Sequence, residues 1–331
     1  MSYLRISLTD RCSYRCSYCM PSEDSLRSHI CSEDLLGEDE LVAIVSALIP
    51  VGLKRVRLTG GEPTVRRELV RIVERLAGLG LEEVTLSTNG ERLVELAEPL
   101  RKAGLSRLNI SLDSLRHHRF AQLTRHGSLD RVLAGIGAAQ AAGFRHIKLN
   151  TVALAGFNAD ELSDICRFAF ARDMTPRFIE LMPIGEGVAC SVGGFLSAAA
   201  IRIKLAAELG PLCALDPTLA ALPGTGPARY VGVQDGDTLR RIGIIAAVSE
   251  PFCDSCDRVR LSASGQLHTC LGYDAAVDLA KALRAAPADC GERSDAVVSA
   301  VRRALQDKRV GHSFTAIGCG RPRRLMVAIG G

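Results

Sequence analysis

Short runs of β-branched and apolar residues alternate with amphipathic segments from residue 4 to about residue 183 of this 331-residue chain. The runs predict strands at 4–9, 55–60, 83–88, 107–112, 147–154 and 177–182, and the segments predict helices at 38–49, 67–79, 91–103, 129–142 and 159–171. Regular β-α repetition predicts a parallel sheet with right-handed crossovers. Six units are too few for a closed eight-fold barrel, so we expect an α/β fold with a partial (β/α)6 TIM-type barrel rather than a doubly wound sheet.

Polar and glycine-rich residues gather where the predicted strands end. Strand two runs into Gly60-Gly61-Glu62-Pro63, strand three into Thr88-Asn89-Gly90, and strand four into Ser111-Leu112-Asp113. In barrel enzymes the active site is assembled at the carboxyl ends of the strands. These endings therefore predict one shared mouth.

The chain divides into three parts by composition. Residues 1–183 carry the β-α repeats, and residues 184–240 form a bridging segment rich in Gly, Ala, Ser and Pro, with one helix predicted near 198–209. Residues 241–331 form a C-terminal region that begins with a predicted strand at 241–248. In that region Ser264-Gly265 predicts a hairpin turn, and a helical tail precedes the final Gly330-Gly331.

Composition excludes several classes of function. A hydrophobic content of 47% and a charged content of 24% are ordinary for a globular protein, and a net charge of +4 is too small to predict nucleic-acid binding. No stretch approaches the roughly 20 apolar residues of a membrane span. Because a strand follows the first residues almost at once, we expect no signal peptide, a cytoplasmic location, and neither nucleic acid nor membrane as partner.

Six of the twelve cysteines form two trios. One is Cys12-x3-Cys16-x2-Cys19 and the other is Cys253-x2-Cys256-x13-Cys270. In a secreted protein twelve cysteines could form six disulfides, but clustered cytosolic thiols usually bind metal or do chemistry. Three thiolates leave one corner of an iron–sulfur cube without a protein ligand, so each trio predicts a cluster that is open to a small molecule. The alternative is a zinc site completed by His29 or Cys31 at the first trio and by His268 at the second.

Cationic side chains are predicted on five strands near the same mouth: Arg5, Arg55, Arg57, Lys148, Arg177, Arg258 and Arg260. The two-residue period of a strand places Arg258 and Arg260 on one face beside the second trio. Charges at such positions are costly unless an anion pairs with them. Salt bridges to carboxylates at the strand ends would satisfy that need, but several cations around one mouth favour a polyphosphate ligand.

The first trio resembles that of the radical S-adenosylmethionine (SAM) superfamily, whose members hold a [4Fe-4S] cluster on C-x3-C-x2-C. Tyr18 precedes the third cysteine, as the aromatic residue does in that superfamily, and Met20-Pro21 follow it. The resemblance implies that four residues contact SAM: Tyr18, Gly61, Ser111 and Met182.

Nearly the whole chain is similar to the GTP 3′,8-cyclase family, the radical SAM enzymes that open molybdenum cofactor biosynthesis. The similarity rests on the segments 4–12, 177–182 and 226–230, on the C-x2-C-x-R-x-R-x9-C pattern that ends at Cys270, and on the terminal Gly-Gly. It implies a radical SAM barrel with a C-terminal extension that carries a second [4Fe-4S] cluster. Compared with the family, the lead before the first strand is short, and residues 184–225 match poorly, so no site residue is transferred there.

The resemblance also implies a reaction. An electron would enter the first cluster and cleave SAM to a 5′-deoxyadenosyl radical, which abstracts hydrogen from C3′ of GTP. C3′ then attacks C8 to give (8S)-3′,8-cyclo-7,8-dihydroguanosine 5′-triphosphate, while the second cluster holds the guanine. The residues that match GTP positions are Arg5, Arg57, Thr88, Lys148, Arg258 and Arg260, with Arg55 and Arg177 as further candidates. Gly330 and Gly331 match a tail that completes catalysis.

The partners that this reaction implies are GTP, an external electron donor and the next pathway enzyme, and we expect a homodimer. One alternative is a radical SAM maturase that modifies peptides and carries auxiliary clusters. Such an enzyme would need neither the Arg258 and Arg260 pair nor a Gly-Gly end. A zinc-stapled binding module is the non-enzymatic alternative.

Overall fold

Twelve strands form one sheet in the computed structural model, which describes residues 1–21, 32–216, 226–287, 289–309, 311, 312, 314 and 326–330. The strands are β1 (Tyr3–Ser7), β2 (Arg55–Thr59), β3 (Glu83–Thr88), β4 (Arg107–Ser111), β5 (Lys148–Ala153), β6 (Thr175–Glu180), β7 (Cys213–Ala214), β8 (Arg229–Asp235), β9 (Thr238–Ile245), β10 (Arg258–Leu261), β11 (Gln266–His268) and β12 (Val277–Asp278). Their order is β12-β11-β10-β1-β2-β3-β4-β5-β6-β9-β8-β7.

Ten α-helices lie within the same described ranges. They are α1 (Glu38–Leu48), α2 (Leu69–Ala77), α3 (Leu93–Lys102), α4 (His117–Thr124), α5 (Leu129–Ala141), α6 (Leu162–Phe170), α7 (Gly187–Gly194), α8 (Ala198–Leu209), α9 (Leu279–Ala285) and α10 (Cys290–Gln306). Side chains cap several helix starts: Ser128 accepts from the Arg131 amide, and Asp289 accepts from the amides of Gly291 and Glu292. In the described part of the chain, no helix combines the length and apolarity that crossing a bilayer requires.

Strands β1 to β6 are parallel neighbours in sequence order, which confirms the predicted six-unit repeat. Alternate residues of these strands, such as Leu4, Ile6, Val56 and Leu58, are fully buried in the apolar core cluster that also contains residues of the helices. The intervening residues, among them Arg5 and Arg57, line a cavity instead. Because no ladder among the described strands joins β7 to β12, the barrel is open, as predicted for a partial (β/α)6 barrel.

The C-terminal region extends both edges of this parallel sheet. Strand β10 pairs in parallel with β1 and continues into the β10-β11 hairpin, whose turn contains Gly265 as predicted. On the other edge β9 pairs in parallel with β6 and in an antiparallel ladder with β8. The segments that hold the second trio therefore flank β10 and β11, two strands of the barrel sheet.

The bridging segment contains more regular structure than its composition suggested. Helix α8 lies where a helix was predicted, but α7, β7 and β8 were not predicted, and neither were α4 and β12 elsewhere in the chain. Residue 240, where the sequence placed the end of the bridging segment, lies within β9. Gly236-Asp237 joins β8 and β9 into one hairpin. A glycine followed by aspartate between two alternating runs is a recognised hairpin signal, so this element was predictable.

Candidate active site

One cavity of about 330 Å3 lies at the carboxyl ends of β1 to β6 and extends to β10. It is lined by most of the residues that the sequence predicted, namely Cys12, Cys16, Cys19, Cys253, Cys256, Cys270, Tyr18, Gly61, Ser111, Met182, Arg5, Arg57, Thr88, Arg258 and Arg260. Lys148 and Gly330 do not line it, and Gly331 lies outside the described residues. The strand ends therefore share one mouth, as predicted.

The first trio lies on the loop that follows β1. The amides of Cys19 and Met20 donate to the Cys16 carbonyl over 2.9 and 3.0 Å, which turns the loop tightly, and the Tyr14 amide donates to Cys12 Sγ over 3.4 Å. The loop is tied to the end of α4 because the Ser17 amide donates to the Leu123 carbonyl. Burial raises the pKa of the Cys12 and Cys19 thiols to about 12, so metal binding at this loop must displace protons.

The second trio lies at the start of β10 and just after β11, and N–H groups point at its sulfur atoms. The Gly272 amide donates to Cys270 Sγ over 3.3 Å, and Arg258 Nη2 lies 3.5 Å from Cys256 Sγ. The His312 amide also hydrogen-bonds to Cys253. Burial opposes ionisation of Cys256, but the Arg258 guanidinium and amide, with Lys308, outweigh it and lower the pKa of that thiol.

Both donor sets fit an iron–sulfur cluster. No three His, Cys, Asp or Glu side chains in the described ranges lie close enough together to hold a single metal ion. A cube binds each thiolate to a different iron and so spreads the ligands, and N–H groups near the sulfurs are typical of its surroundings. Of the zinc ligands considered, His268 is buried with Nδ1 3.2 Å from the Ala275 carbonyl oxygen, and His29 and Cys31 lie outside the described residues.

The four predicted SAM residues line the same cavity as the first trio. A Cβ atom on Gly61 would collide with the Arg11 carbonyl, so only glycine lets the end of β2 pack this closely on the cysteine loop. Tyr18 donates its hydroxyl hydrogen to Asp113 Oδ2 over 2.8 Å, and the Val152 amide donates to Asp113 Oδ1 over 2.8 Å. Burial raises the pKa of Asp113 to about 6.

Glu62 organises the neighbouring strand ends. This buried carboxylate accepts from Thr64, from the Thr88 hydroxyl over 2.7 Å and from the Asn89 amide over 2.7 Å. Burial raises its pKa and these donors lower it again, with the net shift upward. Thr88, a predicted GTP residue, therefore lines the cavity with its hydroxyl held by Glu62.

Three predicted GTP residues form a row across three strands. Arg5 is in register with Arg57 on one side and with Arg260 on the other. Burial and the neighbouring Arg260 lower the pKa of Arg5 well below its ordinary value, and burial with Arg258 lowers that of Arg260 to about 10. The buried Nε atoms of Arg55 and Arg57 find no hydrogen-bond partner among the described residues. The row is suited to an anion.

Lys148, on β5, does not line the cavity. It is fully buried, and burial together with Arg177 and Arg107 lowers its pKa to about 6. Arg177 is also buried, donates from Nε to Asn150 Oδ1 over 2.9 Å, and bonds to the Tyr230 side chain. Arg177 lines the cavity whereas Lys148 does not, so the cationic surroundings include side chains behind the cavity lining as well as on it.

The chain's end reaches the same site. Met326 and Val327 line the cavity, and Arg260 Nη1 donates to the Gly330 carbonyl over 2.7 Å. Gly330 is buried with φ +69°, and a Cβ there would come within 2.5 Å of Thr59 Cγ2. The described part of the predicted tail thus packs beside the arginine row.

Sequence reasoning missed the carboxylates that position these groups. Asp113 and Glu62 follow strands four and two, within the polar endings that were noted, but nothing in the sequence indicated that they bind Tyr18 and Thr88. The sequence suggested Glu62 and Glu180 only as salt-bridge partners for the strand cations, and the role of Glu180 is different. Glu180 is buried and accepts from the amides of Ala198, Val248 and Ser249.

Comparison with known proteins identifies the family. Residues 6–169 match the radical SAM superfamily model and residues 174–314 match the model described as Molybdenum Cofactor Synthesis C. GTP 3′,8-cyclase 1 of Pseudomonas aeruginosa is 42% identical over 100% of this chain and 97% of its own length, and the GTP 3′,8-cyclase of Nitrobacter winogradskyi is 41% identical over 97% and 90%. The GTP 3′,8-cyclase of Pseudomonas entomophila is 43% identical over 100% and 96%. The chain belongs to the GTP 3′,8-cyclase family of radical SAM enzymes.

Proposed function

We propose that this protein cyclises GTP to (8S)-3′,8-cyclo-7,8-dihydroguanosine 5′-triphosphate, the first step of molybdenum cofactor biosynthesis. The observation that carries the proposal is the single cavity lined by both cysteine trios and by the arginine row. A site with only the first trio would suit any radical SAM enzyme. The second trio and the row of cations add a place for a base and for phosphates.

We assign the residues around the cavity to two ligands. Tyr18, Gly61, Ser111 and Met182 hold SAM beside the first trio, with Gly61 offering its backbone to the amino group. Arg5, Arg57 and Arg260 bind the triphosphate, supported by Arg258, Thr88 and Lys148. When bound, the first cluster supplies the electron that cleaves SAM and the second supplies an open iron for the guanine.

Positioning is the main task of the chain in this reaction. A carbon radical needs one hydrogen within contact distance and protection from other hydrogen donors, and it needs no general base for the abstraction. Met326 and Val327 line the cavity and Gly330 packs beside Arg260. We therefore assign Gly330 and Gly331 to completing the site for catalysis.

The remaining partners follow from the reaction. An external donor must supply one electron to the first cluster. A second electron and a proton must reach the radical that remains on the guanine after C3′ attacks C8, and the cyclised nucleotide then passes to the next enzyme of the pathway. We infer a cytoplasmic location, because clustered cysteines that bind iron–sulfur clusters are typical of a reducing compartment. We also infer a homodimer, by resemblance to the family.

The direct test is anaerobic incubation of the reconstituted protein with SAM, a reductant and GTP, followed by mass spectrometry of the nucleotides. We expect a cyclised product of unchanged mass relative to GTP, together with 5′-deoxyadenosine. Arg258→Ala should spare SAM cleavage and weaken GTP capture, whereas Arg302→Ala, an exposed arginine on α10, should change neither.

Two outcomes would count against the proposal. Formation of 5′-deoxyadenosine without any new nucleotide would show a radical SAM enzyme with a different substrate, such as a peptide. Equal loss of SAM cleavage and GTP binding in Arg258→Ala would contradict the role given to Arg258.

A further inference from the structure

Five residues that follow α10 contact every loop of the second trio. They are Lys308, Arg309, Gly311, His312 and Phe314, and we refer to them as the clamp residues. Their contacts reach the loop of Cys253 and Cys256 on one side and the loop after Cys270 on the other. His312 and Phe314 also line the cavity, and the proposed function assigns no role to any of the five.

Lys308 makes the central contact. Its ammonium group donates to the Cys256 carbonyl over 2.7 Å and lies 3.4 Å from the Arg258 carbonyl, so one side chain spans both ends of this turn. The side chain is half-buried, which reduces the competition of water for these bonds. It thereby fixes the strand start from which Arg258 reaches Cys256 Sγ.

The other clamp residues hold the second side of the site. The Arg309 guanidinium stacks 4.5 Å from the Tyr273 ring centre, and the Tyr273 hydroxyl donates to the Gly311 carbonyl over 2.7 Å. The His312 and Phe314 rings stack with centres 4.0 Å apart.

These two rings also lie against Gly272. A Cβ there would come within 2.7 Å of His312 Cβ and 3.4 Å of the Phe314 ring. The Gly272 amide in turn donates to Cys270 Sγ, so the packing of the rings bears directly on a cluster ligand.

We propose that Lys308 is a positioning residue for the second cluster, which holds the turn at Cys256 in place and adds a fixed positive charge beside that thiolate. The proposal rests on the second cluster of the proposed function. Outer groups that orient metal ligands typically change metal affinity by about 10- to 100-fold when removed. A cation near the cluster favours its more negative, reduced form, so Lys308 also raises the reduction potential.

The test compares Lys308→Met, Lys308→Arg and the control Lys281→Met, an exposed lysine on α9, with the wild-type holoenzyme. We expect Lys308→Met to lose iron to a chelator about tenfold faster. Its second cluster, identified by the response of its electron paramagnetic resonance signal to GTP, should titrate at a lower potential. Lys308→Arg should keep the potential near the wild-type value, and SAM cleavage without GTP should be unchanged in all variants.

The outcomes separate this inference from the proposed function. One outcome would overturn the role of Lys308 and leave the proposed function intact. In it, the wild-type protein binds about eight irons, but Lys308→Met matches Lys281→Met in the rate of iron loss and in the reduction potential. Wild-type protein with only about four irons and no GTP-responsive signal would overturn both. If the reduction potential of the second cluster fell as far in Lys308→Arg as in Lys308→Met, the positive charge of Lys308 would not contribute to that potential.

Discussion

Cationic side chains crowd together in this barrel, where their access to water is limited. Arg5, Arg57 and Arg260 are adjacent across three strands, with Arg5 and Arg57 half-buried and Arg260 buried, and Lys148 is fully buried. Burial and mutual repulsion destabilise such charges, and the lowered pKa values of Arg5 and Lys148 express that cost. A polyphosphate relieves it, so substrate binding should change the protonation of the one residue in this group that can titrate near neutrality.

Lys148 is that residue, and its change in protonation can be measured. With a pKa of about 6 it is neutral at pH 8 in the free protein, and a nearby triphosphate favours the charged form, so its pKa should rise above 8 when GTP binds. We therefore expect GTP binding at pH 8 to take up close to one proton. Calorimetry in two buffers of different ionisation enthalpy measures this uptake.

Lys148→Arg is the matched control, because arginine keeps the charge but does not titrate. It should bind GTP without proton uptake. Uptake equal to that of the wild-type protein would contradict the assignment of the proton to Lys148, and no uptake in the wild-type protein would show that the triphosphate does not approach this residue.

Asp113 is a second residue whose replacement should have a specific effect, namely weaker binding of SAM. Because its two oxygens accept from Tyr18 and from the Val152 amide, Asp113→Asn, which has one acceptor oxygen, can satisfy only one of them. Loss of a hydrogen bond to a charged group costs about 1.5–3 kcal/mol, so we expect KM for SAM to rise about tenfold or more while iron content stays unchanged.

Kinetics of reductive SAM cleavage test this expectation, with the exposed Asp130→Asn as control. Tyr18→Phe should have a similar effect, and the double variant should be no worse than either single one, since both break the same bond. Additive losses would show that Asp113 acts on SAM by another route.

At the scale of elements, the sequence predicts what local patterns specify. All six parallel strands and five helices lie at their predicted places, because alternating runs and the glycines after the helices are local signals. Helix α4, with eight residues, and the two-residue strands β7 and β12 are too short for a clear periodic pattern. The two strands are defined only by their pairing with β8 and β11. Spacing likewise predicts the cysteines and arginines of the site.

The connections between elements could not be predicted in this way. Glu180 ends β6, yet its carboxylate accepts from Ala198 at the start of α8 and from Val248 and Ser249 beyond β9. Nothing in the sequence near Glu180 indicates these partners, because they come from segments that only the fold brings together. The same holds for Asp113 with Tyr18 and for Glu62 with Thr88.

Glu180 should therefore matter to stability more than a surface carboxylate does. Glu180→Gln replaces one acceptor oxygen by an amide that faces backbone donors, which leaves buried N–H groups unpaired. We expect a loss of roughly 2–3 kcal/mol in the free energy of unfolding and a fall of several degrees in Tm. Anaerobic thermal unfolding measures it, with the exposed Glu208→Gln as control. A Tm equal to that of the control would contradict this anchoring role.

At the scale of the whole molecule, the two family segments form one continuous sheet. The C-terminal region adds β10 to the first edge of the barrel and β9 to the last. This pairing brings Arg260 from the C-terminal region beside Arg5 of the barrel and places both cysteine trios on one cavity. The site is therefore complete only when β10 pairs with β1. Repulsion between the like charges of Arg5 and Arg260 opposes that pairing.

GTP should consequently stabilise the entire protein by relieving that repulsion. A ligand at 100 times its Kd adds about 2.7 kcal/mol to the free energy of unfolding, so saturating GTP should raise Tm by several degrees in unreduced protein. The increase should shrink from GTP to GMP to guanosine, and added salt should weaken it because screening acts on the phosphate contacts. Arg260→Met should lose most of the difference between GTP and guanosine, whereas Arg302→Met should keep it. If guanosine raised Tm as much as GTP does, and salt had no effect, the arginine row would not be the triphosphate site.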